Sequence, residues 1–200
     1  DYGYGTKQGL ALWTVHVPAG APSRLGNLEA FLAAPSPDGT TLALSQFGYR
    51  LLIVRRDGTA IREWPPLPSQ PAGLAWSPDG RRLRFQALGP DQRRSWVWEV
   101  SADGGEPRAL WPGEAGRWTP DGRYYLFDRR DEAEARNDIY AVREPGLPRS
   151  SPPRPVRLTI GPLSFTDVGP SVDGKRLFAW GTADRGELLR YDARLGRFEK

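Results

Sequence analysis

Apolar and polar residues alternate along this chain in runs of about eight, and turn residues rather than helix caps divide one run from the next. Four of these runs, TTLALSQF, RRLRFQAL, RYYLFDRR and KRLFAWGT, each follow an Asp-Gly pair. The pair closes a recurring motif: SPDG at 36–39, SPDG at 77–80, TPDG at 119–122 and SVDG at 171–174. Asp38, Asp79, Asp121 and Asp173 are spaced by 41, 42 and 52 residues. A second pattern keeps step with the first, in ALWTVHVPAG from residue 11, RLLIVRRDG from 50, SWVWEVSADGG from 95, NDIYAVREPG from 137 and ELLRYDARLG from 187. Leu12, Leu51, Val97, Ile139 and Leu188 fall in one column of that pattern, and Val15, Val54, Val100, Val142 and Tyr191 in another.

Each unit is thus predicted to hold a strand ending in Ser-Pro, an Asp-Gly hairpin, a second strand, a variable loop, a third strand, a Gly-containing turn and a fourth strand. Four antiparallel strands per unit of about 40 to 45 residues is the signature of a β-propeller blade. The all-β chain divides into a half blade, residues 1–25, and four blades at 27–64, 70–111, 114–159 and 164–200. The longest spacing is explained by the proline-rich REPGLPRSSPPRP, residues 143–155, inserted in the hairpin of the third complete blade. The unmatched half blade calls for an inner half from elsewhere, so the expectation is about four and a half blades of a six- to eight-bladed ring.

Composition agrees with that reading. The 23 glycines and 20 prolines punish long helices and suit many short strands. No stretch approaches the roughly 18 apolar residues of a spanning helix, and DYGYGTKQGL lacks the basic start and apolar centre of a signal peptide. The chain has no methionine, even at position 1, and is expected to be a piece of something longer. A membrane would enter only through a flanking span, which would make the chain extracytoplasmic; the compartment is otherwise open. Zero cysteines exclude disulfides, thiol nucleophiles and thiolate metal sites, and one histidine excludes a His-rich metal site. A net charge of +4 is scattered in pairs such as Arg55-Arg56 and Arg81-Arg82, whereas a nucleic-acid footprint gathers its charge on one face. No direct nucleic-acid binding is expected of this segment.

The aligned repeats resemble the TolB-like WSPDG β-propellers of bacteria, relatives of WD repeats. VWEVSADGGEPRAL, WTPDGRYYLF, PVRLTIGPLSF and DGKRLFAWGTADRGELLRYDARLGRF look more narrowly like the C-terminal propeller of bacterial regulators that carry a winged-helix or Ser/Thr-kinase domain. That resemblance implies a non-enzymatic sensor or interaction module, whose partner is a protein, a peptide or a small envelope ligand. The alternatives are the noncatalytic substrate-gating propeller of a prolyl-oligopeptidase-like peptidase and a TolB-like periplasmic scaffold.

Residue by residue, the chemistry leads away from catalysis. The aspartates of the repeat recur once per blade, too far apart around a ring to converge, and Asp38, Gly39, Asp79, Gly80, Asp121, Gly122, Asp173 and Gly174 are expected to be structural turn residues. His16 has no triad context, no GxSxG elbow occurs, and the GYGTKQG stretch lacks the preceding strand of a phosphate cradle. His16 is expected on a strand's polar face. The acidic and basic DRRDEAEARND, residues 128–138, reads as a solvated loop with one helical turn. Trp13, Trp76 and Trp98 read as packing between blades, with Trp96 and Trp180 freer. No cofactor and no metal is expected. Loops joining second to third strands, and fourth to first, share one face of a propeller, which makes FGYR (47–50), LGPDQRRS (88–95), residues 128–138 and TADRG (182–186) the candidate ligand face, joined by PPLPSQP (65–71) and IGPLSF (160–165). Arg93, Arg94, Trp96, Arg130, Asp131 and Arg185 are its candidate residues, the arginines forming a basic rim.

Overall fold

The computed structural model describes residues 9–144, 153–183, 190–192, 194 and 197–199. A hairpin of β1 (Leu10–Thr14) and β2 (Ser23–Ala30) comes first. Three four-stranded sheets follow, strands in chain order: β3 (Leu32–Pro35), β4 (Thr41–Gln46), β5 (Arg50–Arg55) and β6 (Ala60–Glu63); β7 (Ala72–Trp76), β8 (Arg82–Leu88), β9 (Ser95–Ser101) and β10 (Gly104–Pro112); β11 (Gly116–Trp118), β12 (Tyr124–Asp131), β13 (Arg136–Arg143) and β14 (Val156–Arg157). Two hairpins end the chain, β15 (Ser164–Pro170) with β16 (Leu177–Thr182) and β17 (Arg190–Asp192) with β18 (Arg197–Glu199). Every pairing is antiparallel, and the whole is a partial β-propeller of about four blades. β2 runs on to Ala30, past the expected end of the half blade at residue 25.

One turn is built four times. Ser36 Oγ donates to Asp38 Oδ1 at 2.6 Å, Thr41 N–H donates to Ser36 Oγ at 3.1 Å, and Thr40 N–H donates to Asp38 Oδ1 at 3.0 Å. Gly39, at φ +67°, donates its N–H to Ser36 O. Ser77 with Asp79, Thr119 with Asp121 and Ser171 with Asp173 repeat the pattern, their glycines at +69°, +68° and +67°. A residue with a Cβ is strained at that φ, so the turn selects glycine. The hydroxyl bond is the largest influence holding the Asp38, Asp121 and Asp173 carboxyls below the usual range. These side chains are occupied in closing the hairpin.

Alternation feeds two cores from each middle strand. On β5, Leu51 and Ile53 join Ala43, Leu83, Phe85 and Val100 in the core between the first two sheets, while Leu52 and Val54 turn to Leu44, Ala30 and Leu28 beside the opening hairpin. On β12 and β13, Tyr125, Phe127, Tyr140 and Val142 pack with Val97, Trp111 and Trp118, and Leu126, Ile139 and Ala141 pack with Val168. Because a blade is covered on both faces, β5 reads as an unbroken apolar run, Leu-Leu-Ile-Val, with all four residues buried. Trp76 and Trp98 pack against the first of these cores, and the Trp76 indole donates to Ala34 O of the preceding sheet at 3.0 Å.

One interface is charged. Arg84 on β8, 2% exposed, reaches Glu99 at 2.7 Å and Glu144 at 2.6 Å, and its guanidinium lies over Trp118, Tyr125 and Trp111 at 4.2, 4.6 and 5.2 Å. Arg82 also binds Glu144, at 2.8 Å, and Arg108 binds Glu99 at 3.1 Å. Glu144 thus has two cations and Glu99 three, Arg82 standing 3.7 Å from it as well, which offsets their desolvation.

Three expectations are corrected. Trp13 is 59% exposed rather than packed, because the only strand paired with β1 among the described residues is β2. His16 lies in the turn after β1, not on a strand. Residues 128–138 are mostly strand: β12 runs to Asp131 and β13 starts at Arg136, so only 132–135 form the turn, and Asp128 and Asp138 are buried. Asp138 is sustained there by Arg157 at 2.7 Å, Arg136 at 3.4 Å and the Thr159 hydroxyl at 2.9 Å, partners that the sequence spreads over twenty residues.

Candidate functional site

Three connections from the second and third sheets meet at one end of their strands. The β8–β9 loop is a tight turn in which Gly89 N–H donates to Arg94 O, and Asp91 accepts the Arg93 N–H at 3.1 Å and Arg94 Nε at 3.2 Å. The Arg93 N–H is the main reason that the Asp91 carboxyl titrates below its usual range. In the β12–β13 turn, Asp131 Oδ1 accepts the N–H groups of Ala133 and Glu134 at 3.0 and 3.3 Å. Between β10 and β11, Gly113 N–H donates to Ser95 O, Glu114 N–H to Asp128 O and Ala115 N–H to Gln86 Oε1. Glycine is needed at 113, where a Cβ would come within 2.5 Å of the Phe127 ring.

Together these connections enclose an open cleft of about 670 Å³ between the two blades, well within the size of small-ligand sites. Arg93, Arg94 and Ser95 line it from one blade, Arg129, Arg130, Asp131 and Glu132 from the next, and Pro112, Gly113 and Glu114 from the link between them. Several of these charges already have partners. Arg94 spans the cleft to Glu132 at 3.3 Å, Arg157 stands 3.7 Å from Asp131, and the Arg129 guanidinium lies 3.9 Å over the Tyr140 ring. Arg93 and Arg130 are exposed, and neither guanidinium has a partner among the described residues.

Two carboxyls at or beside this cleft have no cation among the described residues: Glu114, which lines it, and Asp128, which does not but whose backbone carbonyl accepts the Glu114 N–H. Burial raises the Glu114 carboxyl above its ordinary range, against the opposing Ser95 hydroxyl bond. Asp128, 4% exposed, is pushed up to about 6, chiefly by burial and then by the charge of Glu114, while Asn137 Nδ2 donates to it at 3.1 Å. No group of three or more His, Asp or Glu gathers as a metal site among the described residues. The chemistry on offer is electrostatic capture, with guanidiniums and the Glu114 carboxyl lining one cleft.

Of the residues singled out from the sequence, Arg93, Arg94, Arg130 and Asp131 line this one cleft. Trp96 does not line it; it is half-buried, and its ring sits where a Cβ on Gly89 would lie 2.0 Å away. Its buried indole N–H has no hydrogen-bond partner among the described residues. Trp180 is 71% exposed on β16, outside the cleft lining. Arg185, like residues 145–152 of the proline-rich insertion, lies outside the described residues. Sequence reasoning passed over Glu114, while Ser95 and Arg129 lie within loops it assigned to this face. A signal for Glu114 was present, since it lies in a fourth-to-first-strand connection, the loop class assigned to this face.

The chain matches no protein-family model and no curated protein. Solved structures do superpose on it. The putative TolB from Agrobacterium tumefaciens aligns with a TM-score of 0.66 at 21% identity, over 95% of this chain and 73% of that one. TolB from Acinetobacter baumannii gives 0.63 at 18% identity, over 94% of this chain and 47% of that one. A chain of a nidogen/laminin complex gives 0.60 at 15% identity, over 86% of this chain and 64% of that one. At such identities the likeness is one of fold.

Proposed function

We propose that this chain is a non-enzymatic propeller module that binds a protein or peptide partner across its loop face, as the sensor or interaction part of a bacterial signalling or transcription regulator. The observation that carries the binding role is the cleft between the second and third sheets, where irregular loops from two blades converge and leave Arg93 and Arg130 without a partner among the described residues. A regular repeat needs no such cluster, because its turns already close with their own aspartates. The regulator role is supported by the resemblance of VWEVSADGGEPRAL and WTPDGRYYLF to the propellers of such proteins. The fold likeness to the two TolB structures favours a second reading, a periplasmic scaffold that holds an envelope protein on the same face.

Site-specific photocrosslinking in the native host tests the binding role. A photoreactive residue at Arg93 or Glu132 is expected to give a discrete adduct, and one at Asp38 or Asp173, on turns at the other end of the strands, is expected to give none. The same adducts from both sets of positions, or none from the cleft, would defeat the reading. Recovery of the full reading frame separates regulator from scaffold: a winged-helix or kinase domain in the same frame supports the first.

A further inference from the structure

We propose that the partner presents an acidic polypeptide segment to the cleft, with carboxylate side chains on Arg93 and Arg130 at the mouth and its backbone lying across the opening. The proposal rests on the binding-module reading and specifies its partner. Four arginines and three acidic residues line the cleft, but their pairing is uneven. Glu132 is met by Arg94 and Asp131 by Arg157, so both acids at the mouth are neutralised from within the protein. Arg129 is half-buried on the Tyr140 ring. What remains unmatched at the exposed part of the lining, among the described residues, is cationic, Arg93 on one blade and Arg130 on the next. Guanidiniums pair with carboxylates in planar, two-bond geometry, which gives orientation as well as attraction.

The floor narrows the choice of anion. Glu114 lines the cleft, the Asp128 backbone carbonyl accepts its N–H, and neither residue's carboxyl has a cation among the described residues. An anion that filled the cleft would face the Glu114 carboxyl, whose charge already opposes that of neighbouring Asp128. Free phosphate and a phosphodiester buried to the floor are therefore poorly served. A peptide whose acidic side chains reach only the rim avoids the repulsion, and its uncharged residues can enter. A phosphorylated nucleic acid backbone is the competing occupant, and the charge scattered elsewhere on the chain gives it no continuous track.

The test uses a fluorescent decapeptide of alternating glutamate and serine, with the glutamine–serine peptide as its neutral counterpart, read by anisotropy at low and physiological salt. The glutamate peptide is expected to bind at least tenfold more tightly than the neutral one and to weaken as salt rises. Arg93→Ala with Arg130→Ala is expected to remove that preference, with an unchanged circular dichroism spectrum showing an intact fold. Glu114→Gln, which relieves the floor, is expected to strengthen acidic-peptide binding about threefold. Equal binding of the two peptides overturns the proposal, as does displacement by inorganic phosphate or by a single-stranded oligonucleotide at the peptide's own affinity. If photocrosslinks from the cleft map to a partner segment lacking acidic residues, this proposal fails while the binding role stands; absence of cleft crosslinks fails the binding role itself.

Discussion

Asp128→Asn separates the electrostatics of the buried carboxyl beside the cleft from its packing. An ordinary aspartate titrates near 3.8 and this one at about 6, burial being the larger cause and the Glu114 charge the next. Ionising Asp128 in the folded chain thus costs about 3 kcal/mol more than in the unfolded chain. Below pH 3.8 both states hold the proton and the penalty is absent; it grows as pH rises toward 6 and is complete above that. The amide abolishes this penalty but has one carbonyl oxygen where the carboxylate has two, and the carboxylate accepts from Asn137 and from the backbone N–H of Asp167. At pH 4 the folded carboxyl is itself protonated, and exchanging that neutral acid for the amide alters its hydrogen bonding by about 1–2 kcal/mol at most, an offset that is the same at every pH. The variant is therefore expected to start within about 2 kcal/mol of the parent at pH 4 and to gain on it by about 2.5 kcal/mol between pH 4 and 8, part of the penalty being present already at pH 4. Urea unfolding of both proteins at each pH reads the difference directly. A difference that stays flat across that range would refute the claim that Asp128 is a destabilising carboxylate.

Arg84→Met fills the space of the buried guanidinium but strips Glu99 and Glu144 of their closest cation; with Arg82 and Arg108 still in place, a loss of about 3 kcal/mol is expected, and an unchanged urea midpoint contradicts it. Asp79→Ala removes the acceptor for the Ser77 hydroxyl and the Arg81 N–H, so thermal unfolding is expected to show a loss of about 1 kcal/mol; a larger role in partner binding than in stability would point to a site rather than a turn. Val15 is 56% exposed while its counterparts Val54, Val100 and Val142 are 0%, 1% and 0% exposed, so Val15→Lys is expected to change stability by less than about 0.5 kcal/mol and Val54→Lys to abolish folding, both read by circular dichroism.

Much of the blade was legible because its determinants are local. The Ser, Asp and Gly of each turn bond one another within five residues, and the strand columns alternate at the period of the pleat. What escaped has its cause far along the chain. Nothing near Asp138 in sequence announces Arg157, and nothing near Arg84 announces Glu144, yet those contacts decide that charged residues go inside. Trp13 shows the complementary failure: it does lie on a strand, β1, but alternation cannot tell whether a covering strand is present.

The same logic explains where the cleft lies. At the Asp-Gly end of the strands the repeat fixes every atom that a turn needs, and the aspartates are consumed by their own hydroxyl and amide partners. At the other end the loops differ in length and composition from blade to blade, so neighbouring loops need not satisfy one another's charges. Arg94 and Glu132 do so between blades, while Arg93, Arg130 and Glu114 do not. A buried carboxylate raised to about 6 costs stability that Asn at the same position would spare in part. Glu114, whose charge adds to that cost, does line the cleft beside two guanidiniums that have no partner among the described residues, and it disfavours an anion seated against it.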